Sequence, residues 1–82
     1  MPGRSSKHPR RSPLAVKLGA SIREARRKVG ISQERLAEPA ALSKNSIGNI
    51  ERGEFDVTVA TLKRVANALG QSGAELLAAA GI

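Results

Sequence analysis

Cysteine, tryptophan and tyrosine are absent from this 82-residue chain, and Phe55 is its one aromatic residue. Without cysteine there is no disulfide framework and no thiolate metal site. The single histidine, His8, sits among prolines, arginines and serines, where it reads as a solvated side chain. No paired carboxylates, His or Cys constellation, or phosphate-cradling glycine loop occurs, so the sequence argues against an enzyme and implies neither metal nor cofactor. Long apolar runs are also missing. The longest near either end, LLAAAGI at 76–82, is far short of the roughly 20 residues that span a bilayer. The start of the chain is basic, but Lys17 interrupts the apolar residues that follow, so no signal-peptide core forms. The basic stretch 14–28 has no Trp or Phe to anchor it on a membrane surface. The expected location is the cytoplasm, at the nucleoid. A chain of this length forms one domain and buries only about 60% of its unfolded surface, which leaves little room for a deep substrate pocket.

Positive charge is plentiful. The net charge is +7, and it is unevenly spread. Arg4, Lys7, Arg10 and Arg11 fall within the first thirteen residues, where there is no acid; the remainder holds ten basic and seven acidic residues. Such a distribution suits a polyanionic partner such as DNA, although a basic tail also simply keeps a protein soluble. Residues 1–13, MPGRSSKHPRRSP, contain three prolines and three serines and no large apolar residue after Met1. They cannot bury enough surface to offset their ordering entropy and are expected to form a disordered basic arm.

From Leu14 the pattern turns helical. Leu14, Leu18, Ile22, Ala25 and Val29 recur every three or four residues and mark one helix face. Gly30 then offers a left-handed stop. Ser32, Ser43 and Thr58 each precede a new helical stretch as an N-cap. Around each cap stands a hydrophobic staple: Ile31 with Leu36, Leu42 with Ile47, Val57 with Leu62. Ser72 and Glu75 form a capping box, and Gly53 and Gly70 can close the preceding helices. No period-two pattern suggests a strand. The spacing predicts an all-α, compact five-helix bundle over 14–82, with helices near 14–29, 32–40, 43–52, 58–69 and 72–80.

The second and third helices are short and separated by two or three residues, which forces a large crossing angle, the helix-turn-helix arrangement over 33–52. Ala37, Ala40, Ile47 and Ile50 provide the apolar contacts between and beneath them. On its other side the third helix carries Lys44, Asn45, Ser46, Gly48, Asn49 and Arg52. Asn45 and Asn49 are four apart and share a face, and an asparagine amide can bond adenine in two places. Lys44 suits guanine or a phosphate. Taken alone, a polar face is what any solvated helix shows. The tight corner, the basic surplus and the amides together favour double-stranded DNA.

The ordered series LGASIREARRKVGIS, SQERLA, LSKNSI, NIERGE and TLKRVANALG resembles the helix-turn-helix domain of lambda-type phage repressors and Cro, the Xre family, over about residues 18–77. The resemblance implies a sequence-specific transcriptional regulator. It implies that Gln33 bonds a phosphate and braces the third helix, and that Ser43 caps that helix and touches phosphate. Lys44, Asn45, Ser46 and Asn49 would face bases or flanking phosphates. Arg26 and Glu51 would form a structural ion pair between the first and third helices. The resemblance also implies a two-fold dimer through the last helix. There Leu76, Leu77 and Ala80 form an apolar patch, which alternatively just closes the monomer core. Arg10 and Arg11 would run along the duplex with the arm. A repressor acting on a palindromic operator is the first reading. The alternatives are an antitoxin that also holds a toxin, or a controller protein of a restriction–modification system that acts with polymerase.

Two departures bear on geometry. Alanine stands at position 41, where the family has glycine in a left-handed turn. Pro39 falls late in the second helix and has no N–H for the carbonyl of Arg35, so that helix is expected to bend or end near Glu38. In the following loop, Glu54 and Asp56 would repel phosphate, and Phe55 either packs against the fourth helix, the favoured reading, or is exposed for a partner.

Overall fold

The structure, a computed structural model, describes residues 12–54 and 56–82. Five helices make up most of them: α1 Pro13–Val29, α2 Gln33–Ala40, α3 Lys44–Glu51, α4 Val59–Ala68 and α5 Gly73–Ala79. The described residues contain no strand. Arg10, Arg11 and the rest of residues 1–11 lie outside the described residues, as does Phe55.

Local sequence sets the helix starts. The Ser32, Ser43 and Thr58 side chains accept hydrogen bonds from the backbone N–H groups of Arg35, Ser46 and Thr61, each three residues on. Ser72 and Glu75 complete the capping box in both directions, at 3.1 and 2.8 Å. The first start lies one residue earlier than the periodicity suggests. Ser12 is its N-cap, accepting from Ala15 N–H, and Pro13 is the first helical residue. Proline suits that position because its missing N–H would have no partner there. The Ser12 hydroxyl also donates to the Asp56 carboxylate at 2.9 Å, which ties the root of α1 to the loop before α4.

The core joins Leu18, Ile22 and Ala25 of α1 to Leu36, Ala37 and Ala40 of α2 and to Ile47 and Ile50 of α3, with Leu62, Val65 and Ala66 of α4, then Leu69 and Leu76, beneath. Ile31, Leu42 and Val57, the outer members of the staples, pack against it. The apolar face of α1 is shorter than its periodicity implies. Leu14 and Val29, at its two ends, are more than half exposed, while Ala15 is buried. Neither end lies over a neighbouring helix deeply enough to cover a large side chain.

The corner between α2 and α3 is closed by two crossed backbone bonds, Leu42 N to Ala37 O at 3.0 Å and Ala41 N to Glu38 O at 3.1 Å. That pattern requires a left-handed residue, and Ala41 supplies it with φ of 58°, the one non-glycine with positive φ among the described residues. Of the bend or end expected near Glu38, the end does not occur. The helix runs through Pro39 to Ala40. Pro39 lies in the last turn, where losing one bond is tolerated, because Ala37 and Ala40 are buried on either side of it and Arg64 Nε binds the Ala40 carbonyl at 2.9 Å.

Leu76 also corrects an expectation. Its side chain is fully buried within the protomer's own core, and its carbonyl accepts from the Ser21 hydroxyl of α1 at 2.8 Å. It fastens α5 to α1 and has no surface to offer a second copy. Leu77 and Ala80 are half-buried.

Candidate nucleic-acid interface

Three helices meet at one buried carboxylate. Glu51, at the end of α3, has no exposed side-chain surface. Arg26 of α1 grips it with Nε on Oε2 at 2.6 Å and Nη2 on Oε1 at 3.1 Å. The remaining Arg26 nitrogen holds the Ile31 carbonyl at 2.9 Å. Gln33, the first residue of α2, donates its amide to Oε1 at 3.0 Å, and Arg23 stands 3.7 Å away. Burial pushes the Glu51 carboxyl up, but hydrogen bonds from Arg26 and Gln33 and the charges of Arg26 and Arg23 outweigh it and hold the group below its ordinary value. The same hydrogen bond raises Arg26 against its own burial. The pair thus locks the crossing of α1, α2 and α3 from behind. Gly19 allows α1 to come this close: a Cβ there would lie 2.3 Å from the Ile50 carbonyl oxygen.

With its inner side pinned, α3 turns the opposite side outward. Lys44, Asn45 and Arg52 are exposed, and Ser46 and Asn49 half-exposed. Gln33, Lys44, Asn45, Gly48, Asn49 and Arg52 line one open polar recess. The side chains of Lys44 and Asn45 make no hydrogen bond or ion pair among the described residues. Ser43 caps the helix and donates its hydroxyl to Ser46 Oγ at 3.0 Å. Arg52 folds back over Gly48, binding Asn49 Oδ1 with Nη2 and Glu54 Oε2 with Nε, the latter at 3.3 Å. The recess therefore carries two cations and the amide donors of its asparagines, while no carboxylate lines it. Such a surface suits the acceptor-rich edge and phosphates of a duplex.

The structure brings Gln33, Lys44, Asn45, Asn49 and Arg52 together in one recess at the α2–α3 corner, whereas Ser43 sits at the start of α3 as its cap and Ser46 lines a different groove with Thr58 and Thr61. Missing from the sequence reading were the engagement of Gln33 by Glu51 and the contribution of Arg23. Neither follows from spacing along one helix; both depend on how three helices cross.

The helix-turn-helix family pattern matches residues 22–76, two-thirds of the chain, and the protein belongs to that family. Its relatives include the control protein C.SmaI of Serratia marcescens, 40% identical over 65 residues, covering 79% of this chain and 77% of that protein. They also include the HTH-type transcriptional regulator SutR of Escherichia coli, 43% identical over 56 residues. That match covers 68% of this chain, which spans only about a third of SutR, 32%. The crystal structure of the restriction–modification controller protein C.AhdI from Aeromonas hydrophila superposes with a TM-score of 0.73 at 37% identity, covering 76% of this chain and 94% of that one. The protein is accordingly a DNA-binding transcriptional regulator of the helix-turn-helix type, a family whose members often act as dimers. Among the described residues, no helix is long and apolar enough to cross a membrane.

Proposed function

We propose that this protein binds a palindromic operator as a homodimer and represses transcription there, with α3 in the major groove. The observation that carries the reading is the outward, unpartnered face formed by Lys44 and Asn45 on a helix locked from behind through Glu51. Asn45, Ser46 and Asn49 meet base edges. Lys44 and Arg52 add positive charge. Gln33 and Ser43, at the starts of α2 and α3, approach phosphates, where free backbone N–H groups favour an anion. Arg10 and Arg11 extend the phosphate contacts beyond the domain.

The dimer surface proposed is the apolar groove where Leu14, Leu18 and Val57 line up with Leu77 and Ile82. Leu14 and Ile82 are 58% and 49% exposed, more apolar surface than solvent-facing positions need. Leu77 lines this surface, Ala80 follows it three residues on and is half-buried, and Leu76 has no exposed surface to contribute. Control of a restriction–modification operon is the second reading, favoured by the coverage of C.AhdI and C.SmaI over most of their lengths. In it the protein activates as well as represses, which requires contact with polymerase.

Sedimentation with and without a selected palindromic duplex, paired with base-by-base protection mapping, tests this. The expected result is a dimer that protects two half-sites about 34 Å apart. A monomer at tens of micromolar in both conditions, with a single undivided footprint, would overturn the dimeric arrangement.

A further inference from the structure

We infer that Arg52 sets the base preference of Asn49, so that these two side chains together read guanine, while Asn45 reads adenine. The inference rests on the DNA-binding reading above. Both asparagines lie on the same face of α3, but their surroundings differ. Asn45 has no partner among the described residues, so both halves of its amide are available. Asn49 Oδ1 accepts from Arg52 Nη2. A guanidinium only donates, so the oxygen of the Asn49 amide must be the atom that faces it, and the NH2 group points to the recess.

Three features hold Arg52 in that position. Side chains on a helix lean toward its N-terminus, which carries Arg52 back over residues 48 and 49. Gly48 leaves the lane open: a Cβ there would stand 3.2 Å from Arg52 Nη1. Glu54 Oε2 accepts from Nε at 3.3 Å.

The surface that results at Asn49 consists of donors, the Asn49 NH2 and the free edge of the guanidinium. In the major groove guanine presents two acceptors, N7 and O6, whereas adenine presents N7 and a donor, the N6 amino group. Adenine's amino group would meet a donor. Asn49 Oδ1 keeps a second lone pair, but the guanidinium beside it sets its own N–H donors against that amino group, so reading adenine there brings donor against donor in a closing interface. Guanine meets no such conflict.

Selection from randomised duplexes followed by competitive titration tests this, using the full chain and its Arg52→Ala and Arg52→Lys variants. The base pair read by Asn49 is located as the one whose preference disappears in Asn49→Ala. The full chain should favour guanine over adenine there by about tenfold. Arg52→Ala frees Oδ1 and should turn that preference toward adenine, leaving the adenine preference at the Asn45 position unchanged. Arg52→Lys keeps the charge and the salt dependence but lacks the fork, and should bring guanine and adenine near parity. Arg52 is exposed, so both variants should melt like the parent. Adenine preferred by the full chain at the Asn49 position would overturn the inference. So would an Arg52→Ala variant that weakens on all duplexes alike, with a shallower salt slope and unchanged base preference, since Arg52 would then serve a phosphate. A parent chain indifferent to every sequence would instead remove the DNA reading itself and the inference with it.

Discussion

Replacing Arg26 by methionine removes three hydrogen bonds at once, the two to Glu51 and the one to the Ile31 carbonyl. The stem of the side chain is largely retained, so little packing is lost. What remains is a carboxylate with no exposed surface, held by one amide bond from Gln33 and approached by Arg23 at 3.7 Å. Breaking a buried pair costs about 3–5 kcal/mol. Arg23 is exposed and can swing inward, so the cost should lie near the lower end, about 3 kcal/mol. In a domain this small that corresponds to a fall in Tm of about 12–24 °C. The pH dependence is the sharper signature. In the parent, Glu51 titrates below its unfolded value, so its contribution is fully present above about pH 5 and is lost as pH falls through the depressed folded value. In Arg26→Met the carboxyl is buried with weaker support and titrates higher when folded, so the variant gains relative stability on acidification. Urea unfolding at pH 7 and pH 4 measures both. The stability gap should be about 3 kcal/mol at pH 7 and shrink at pH 4. A gap under about 1 kcal/mol, or one that does not narrow with acid, would refute the account of Glu51 as the junction of three helices. The double change Arg26→Met with Glu51→Met should recover most of the loss, because apolar partners of similar volume suit a dry site.

Other outcomes follow from the same geometry. Ala41→Gly should stabilise the fold by about 1 kcal/mol, since φ of 58° strains alanine; an unchanged or lower urea midpoint would contradict the turn assigned there. Gly19→Ala should destabilise by more than about 2 kcal/mol or prevent folding, because its methyl would meet the Ile50 carbonyl oxygen at 2.3 Å; a parent-like melting curve would contradict the close approach of α1 and α3. Deleting residues 1–11 should weaken binding to all duplexes alike and flatten the dependence of affinity on salt. The deletion must spare Ser12, which caps α1 and holds Asp56; an unchanged salt slope would end the role assigned to the arm.

The helices were readable in advance because capping is a local event. Ser32, Ser43, Thr58 and Ser72 each act within three residues of themselves, so their chemistry survives any tertiary arrangement. What could not be read were features that depend on distant chain. Pro39 looked like a stop, but burial of Ala37 and Ala40 and the reach of Arg64 carry the helix past it. Leu76 and Leu77 are neighbours of one chemical type, yet α1 and α4 bury the first completely and the second only in part. Asp56 accepts from the Ser12 hydroxyl at the positive end of α1, a contact between residues 44 apart that no local pattern announces. In the recess, Lys44, Asn45 and Asn49 were visible as a polar face, whereas the Arg52–Asn49 bond needed the lane that Gly48 leaves.

The central claim is that the outward face of α3 discriminates among duplexes. Its most direct test is the ratio of affinities for a selected operator and a scrambled duplex at one fixed salt concentration, for the parent and for Asn45→Ala with Asn49→Ala. The parent ratio should be about 10³ or more, and the double variant should lose most of it while keeping its affinity for the scrambled duplex. A ratio near one for the parent, or a variant whose ratio is unchanged, would contradict the claim.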